Sequence, residues 1–158
     1  MFFVELGNSS KRAVARQTIR DTIKELNNEF MPDILLRVAD ASNISIPDSA
    51  PSDFQPLDWG IARDLEAKGI RFAPHSKTHR ILSKLSKTSM EQEILGSWKT
   101  MQRELTNPLK VFCYPTGRVL DYGPREIGLL EREGFLGAVA TTPGYVEIQK
   151  NLSKEIYH

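Results

Sequence analysis

Two of the three histidines in this 158-residue chain stand four residues apart, in Ala73-Pro74-His75-Ser76-Lys77-Thr78-His79-Arg80; the third, His158, is the last residue. Imidazoles at that spacing can converge on one ion from a single helical turn or a tight loop, so His75 and His79 are candidate metal ligands. The metalloprotease pattern His-Glu-x-x-His is absent, because Ser76 follows His75, and the pair brings no general base of its own. Ser76 and Thr78 supply hydroxyls that either bond nearby backbone or orient an imidazole from behind. Histidines four apart also occur on ordinary surfaces. The elements around them have to separate the two readings.

Those elements are clearest after the pair. Met90, Ile94, Trp98, Met101 and Leu105 recur at helical spacing and predict a long helix with one apolar face, opened by a Thr88–Glu91 capping box and stopped at Asn107-Pro108. The run Leu109–Cys113 predicts a strand, and Tyr114-Pro115-Thr116-Gly117 a turn directly after it. Pro124 opens a helix that packs Ile127, Leu129 and Leu130 inward and ends at Gly134; a strand Gly137–Thr141 follows. Before the pair, Asp58 caps a helix through Lys68 with Trp59, Ile61, Ala62 and Leu65 inward, and Ile70–Phe72 reads as a strand. Short apolar strands alternating with amphipathic helices predict a parallel α/β arrangement, in which chemistry gathers at the C-terminal strand ends. The His75–His79 and Tyr114–Gly117 loops both fall at that edge.

The first third is less informative. Phe2–Leu6 reads as a strand. Ser10 then caps a polar helix over 11–28 with a thin apolar stripe, and a second helix runs from Pro32 to Ala41. Residues 42–56, with three prolines and no periodicity, predict a surface insertion loop. The length suits a single domain, 1–158. A net charge of +1 gives no nucleic-acid footprint, and no run is long and apolar enough for a membrane span. One cysteine, Cys113, excludes an internal disulfide, and with no secretory signal after Met1 the expected location is cytoplasmic. Cys113 lies in an apolar run and is expected to be a buried, inert thiol. Tyr114, Trp59 and Trp98 have equally ordinary readings as core residues.

Several blocks together resemble one known family. Leu57-Asp58-Trp59, Ala67-Lys68-Gly69-Ile70, His75-Ser76-x-Thr78-His79 and Ile81-Leu82-Ser83 resemble the metal-binding segment of the polysaccharide deacetylases, the NodB-homology carbohydrate esterases. Glu93-Ile94, Ser97, Phe112–Gly117, Gly134-Phe135 and Ala138–Gly144 continue the likeness in order, over residues 57 to 146. The resemblance implies a deformed (β/α) barrel and one divalent metal, often zinc, held by an Asp and two His, here His75 and His79. It implies hydrolytic removal of acetyl groups from N- or O-acetylated sugars of a polysaccharide. Tyr114, Pro115, Thr116 and Gly117 would line the substrate groove, with a backbone N–H supporting the oxyanion.

The chain departs from that pattern in three ways. The family's first motif, Thr-Phe-Asp-Asp-Gly, which supplies the base and the third ligand, has no counterpart, and neither does the last motif with its histidine. Lys110 and Thr116 replace an arginine and an aromatic common in relatives. The expected fold is therefore a partial barrel lacking the first motif strand, with the catalytic base unassigned. Asp58 and Asp121 are the carboxylates nearest in sequence to the histidines and the turn, and Asp58 is better explained as a cap. A partial barrel exposes edges, so self-association or a partner that completes it is expected. The alternative function is a non-catalytic carbohydrate-binding or interaction module on the same scaffold.

Overall fold

The computed structural model describes residues 5, 7–26 and 30–143. The expected strand Phe2–Leu6 lies, apart from Glu5, outside them, as does His158. Where the sequence reads as a single domain, the residues group into two compact units, 1–46 and 47–158. The division falls within the 42–56 loop, which is exposed throughout and holds a short 3-10 turn at Ser52–Phe54.

The first unit carries α1 (Ser9–Glu25) and α2 (Met31–Ala41). Asn8, not Ser10, caps α1: its backbone is extended and its Oδ1 accepts the Lys11 N–H at 2.9 Å, so the helix begins earlier than the serine suggests. Pro32 lies in the first turn of α2, where a missing N–H costs nothing.

The second unit is built on α3 (Trp59–Ala67), α4 (Lys87–Glu104), β1 (Val111–Cys113), α5 (Pro124–Arg132) and β2 (Gly137–Val139). β1 and β2 pair in parallel, Val111 opposite Gly137, Phe112 opposite Ala138 and Cys113 opposite Val139. Parallel pairing requires a crossover, and α5 supplies it. Phe112 is fully buried at the centre of the core, in edge-on contact with Tyr114 (5.5 Å between rings) and Phe135 (6.2 Å). Leu82, Leu85, Met90, Ile94, Leu129 and Leu130 complete that cluster, so the apolar face expected on α4 is the one that packs. Among the described residues the sheet has these two strands. The fold is α/β, and no closed barrel is seen in it.

Four local expectations need correction. Ser86, not Thr88, caps α4, its Oγ accepting the Ser89 N–H at 3.1 Å while Met90 N–H reaches Ser86 O at 2.9 Å. The Ser86 site starts the helix before the Thr88–Glu91 pair is reached. On α3 only Ala62 is buried; Trp59 (39% exposed) and Ile61 face outward, because the partner surface is the small cluster Met101, Leu105 and Phe72. The strands at 109–113 and 137–141 are shorter than expected.

Ile70–Phe72 is extended but is not a strand. Phe72 O accepts from Leu109 N–H (2.7 Å) and Pro74 O from Cys113 N–H (2.9 Å). Carbonyls two residues apart thus meet donors four residues apart, and Pro74 has no N–H with which to return a bond. A regular ladder cannot form. The result is a kinked segment beside β1 that delivers the chain straight into the histidine loop.

Candidate metal centre

The histidine loop leaves the β1 edge at Pro74, which is buried, and turns sharply. Ser76 and His79 both adopt left-handed backbone conformations (φ 64° and 58°), unusual for residues with a side chain. Ser76 Oγ accepts the His79 N–H at 2.9 Å, a local bond of the kind that stabilises such turns. The two exposed imidazoles come together with ring centroids 4.7 Å apart and planes at 74°.

His75 is oriented from behind. Its Nδ1 lies 2.9 Å from the Cys113 carbonyl at the end of β1. A carbonyl oxygen only accepts, so the bond requires a proton on Nδ1, and in the neutral ring that leaves the Nε2 lone pair available as a donor to a ligand. The strand therefore fixes both the tautomer and the direction of this ring.

The middle of the loop is held by a residue whose role the sequence did not disclose. Glu93 on α4, 6% exposed, accepts the backbone N–H groups of Lys77 (2.9 Å) and Thr78 (2.7 Å) on Oε2 and the Thr78 hydroxyl (2.5 Å) on Oε1. Ser76 and Thr78 thus use their hydroxyls on the His79 backbone and on Glu93, rather than on an imidazole. A signal for Glu93 exists in the sequence: it stands at i+3 from Met90 and i−4 from Ser97, on the buried face of α4.

The loop's exit is tied to the segment after the second candidate turn. Ser83 N–H reaches Asp121 O at 3.1 Å and Ser83 Oγ reaches Leu120 O at 2.8 Å. Arg125 donates to the carbonyls of Leu85 (3.0 Å) and Leu82 (2.8 Å) while pairing with buried Glu126 at 2.7 Å. Glu126 also accepts the Gly123 N–H at 2.9 Å and so caps α5.

In the Tyr114–Gly117 turn, Tyr114 is 3% exposed and stacks face to face on Tyr122 (4.0 Å, 5°), and Pro115 is buried too. Their side chains belong to the core. The backbone is tightly committed. Tyr114 N–H bonds Val139 O (3.0 Å), Gly117 N–H bonds Pro115 O (2.7 Å), and Gly117 O and Thr116 O accept the Thr141 N–H (2.9 Å) and hydroxyl (2.7 Å).

Neither carboxylate considered as a substitute base is free for that work. Asp58 caps α3, accepting Ile61 N–H at 2.7 Å. Asp121 is buried and takes the Thr116 hydroxyl, the Arg118 N–H (3.0 Å) and two guanidinium bonds from Arg118 (2.9 and 3.0 Å). Burial works to raise its pKa, but the bonds from Arg118 and Thr116 outweigh it and hold the carboxyl below its ordinary value. Cys113 is half-buried rather than enclosed as expected, and that partial burial raises its thiol pKa above the ordinary value. Among the described residues, no third His, Cys, Asp or Glu joins the two imidazoles, and no helix is long and apolar enough to cross a membrane.

Comparison with curated proteins and with solved structures finds no significant match. A family model described as Polysaccharide deacetylase matches residues 13–131. That stretch takes in both loop histidines, Glu93, the 114–117 turn and all but the last residue of α5. A match over most of the chain settles its membership: this protein belongs to the polysaccharide deacetylase family.

Proposed function

We propose that the chain binds a divalent metal through His75 and His79 and serves to hydrolyse acetyl groups from N- or O-acetylated sugars of a polysaccharide. The observation that carries the metal reading is the pair of imidazoles itself, with His75 Nδ1 held by the Cys113 carbonyl so that Nε2 remains a donor. The spacing suits a small cation: with ~2.0 Å zinc–nitrogen bonds at a tetrahedral angle, two ligating rings have centroids about 5 Å apart. The observed separation is 4.7 Å. Two neutral nitrogen donors favour zinc over magnesium or calcium. They fill half of a four-coordinate shell. In the family the third ligand is an aspartate of a motif these 158 residues do not contain.

A cation in this position supplies polarisation of the substrate carbonyl and a lowered pKa for bound water. The chain's own part is to hold and orient. His75 and His79 fix the metal position, and the 114–117 turn offers a donor to the charge that develops on the acyl oxygen. The N–H groups of Tyr114, Gly117 and Arg118 are already bonded, so that donor is assigned to Thr116. No proton acceptor is assigned, because Asp58 and Asp121 are both engaged. The β1–α5–β2 unit is read as a portion of the family's (β/α) barrel.

The test is zinc stoichiometry after loading and desalting, beside His75→Ala, followed by assay on acetylated oligosaccharides. Near one equivalent in the parent and almost none in the variant is the expected result for the metal site, and turnover by the parent would support the hydrolase reading. Zinc retained without turnover would leave a non-catalytic carbohydrate-binding module. No zinc in either protein overturns the metal reading.

A further inference from the structure

We propose that Glu93 is a positioning residue for the His75–His79 pair, one that sets metal affinity without touching the metal; this rests on the metal-binding reading above. The loop between the histidines is held in an unfavourable shape. Ser76 and His79 are both left-handed, a conformation disfavoured for residues with a side chain, and neighbouring structure must offset it. The Ser76–His79 bond closes the turn, but the two N–H groups inside it, Lys77 and Thr78, both aim at the Glu93 carboxylate. One side chain on a rigid helix therefore gathers two of the three residues that lie between the ligands.

Glu93 also carries a buried charge with no cation paired to it among the described residues. Its compensation comes from three donors, all in the loop. The dependence runs both ways. Removing the carboxylate frees the loop to relax from its left-handed shape, and relaxing the loop strands a desolvated carboxylate. A loop coupled in this way to α4 presents its imidazoles in one arrangement before any metal arrives. That lowers the ordering cost of binding.

Three variants of the full chain test this. Glu93→Gln keeps the shape but replaces one acceptor oxygen with an amino group that faces donors. Glu93→Asp keeps the charge and withdraws it by one methylene. Ser97→Ala is the control, since Ser97 is buried on the same face of α4 and its hydroxyl, among the described residues, bonds Ile94 O within its own helix at 2.8 Å. Zinc affinity is measured by competition with a chromophoric chelator, and amide hydrogen exchange is followed by NMR on the metal-free proteins.

In Glu93→Gln and Glu93→Asp, zinc binding should weaken about 10- to 100-fold, the usual range for residues that orient ligands. Exchange at Lys77 and Thr78 should accelerate while Phe112 in β1 stays protected. Ser97→Ala should change neither. Parent-like zinc affinity in a folded Glu93 variant overturns the proposal, as does unchanged exchange at Lys77 and Thr78. If the parent itself binds no zinc, the metal reading falls, and the exchange data still decide whether Glu93 orders the loop.

Discussion

Gly117 is the position where the structure makes the sharpest quantitative demand. Its φ is +60°, and a Cβ built there would lie 2.9 Å from Thr141 N, 3.2 Å from Thr141 Cγ2 and 3.2 Å from Tyr114 O. Gly134 makes the comparison: its φ is +70°, but the nearest atom to a new Cβ is Lys110 Nζ, the far end of a long side chain, at an ordinary contact distance of 3.7 Å. Gly134→Ala therefore meets only the left-handed backbone cost, about 1 kcal/mol. Gly117→Ala meets that cost and also a backbone atom that cannot retreat without stretching Thr141 N–H to Gly117 O (2.9 Å) and the Thr141 hydroxyl to Thr116 O (2.7 Å). At about 1 kcal/mol for each bond, the total comes to about 3 kcal/mol. Urea unfolding followed by the fluorescence of Trp59 and Trp98 reads both variants on the same transition. The midpoint of Gly117→Ala should fall about 1–2 M below that of the parent, with Gly134→Ala losing less than half as much. Equal midpoints for the two variants would show that the 114–117 turn is not clamped against residue 141, and the assignment of Thr116 as a fixed donor would go with it.

Two further predictions concern titratable groups. Asp121 has a folded-state pKa below its ordinary value, so its contribution to stability is complete above the unfolded carboxylate pKa and is lost as pH falls through the folded one. Asp121→Asn should lower the melting temperature at neutral pH and converge with the parent in acid; a constant difference across pH would refute the linkage. Cys113, its pKa raised by burial, should react with a thiol reagent at pH 8 more slowly in the folded protein than in urea, and equal rates would contradict its placement.

Some of this was legible in the residues, and the reasons differ from place to place. The face of α4 was readable because Met90, Ile94, Met101 and Leu105 repeat at helical spacing; Met90 and Ile94 pack in the Phe112 cluster, and Met101 and Leu105 with Ala62. Helix starts were less so: Asn8 and Ser86 each compete with a nearby Ser or Thr of equal chemistry, and only the backbone angles choose between them. Trp59 was misjudged because large apolar residues suggest burial, whereas the α3 residue buried against Met101 and Leu105 is the small Ala62. The histidine pair was visible by spacing. Its supports were not, since Cys113 contributes a carbonyl, which any residue has, and Arg125 contributes bonds to other carbonyls. Glu93 was named for its likeness to a family pattern. Its three donors could be found only in three dimensions.

Those supports share a direction along the chain. Among the described residues, the hydrogen-bond anchors that reach the histidine segment from elsewhere lie downstream of it: Thr78 to Glu93 spans 15 residues, His75 to Cys113 38, Ser83 to Leu120 37 and Leu82 to Arg125 43. Synthesis runs from the N-terminus, so both imidazoles emerge well before the groups that orient them. A nascent chain released as far as α4 holds the middle of the segment through Glu93, but the tautomer of His75 must wait for β1 and the exit clamp for α5. The histidine segment is therefore among the last parts of the second unit to take its final shape. On the proposed metal reading, an ion present during synthesis would meet two loosely tethered imidazoles first and the finished pair only later.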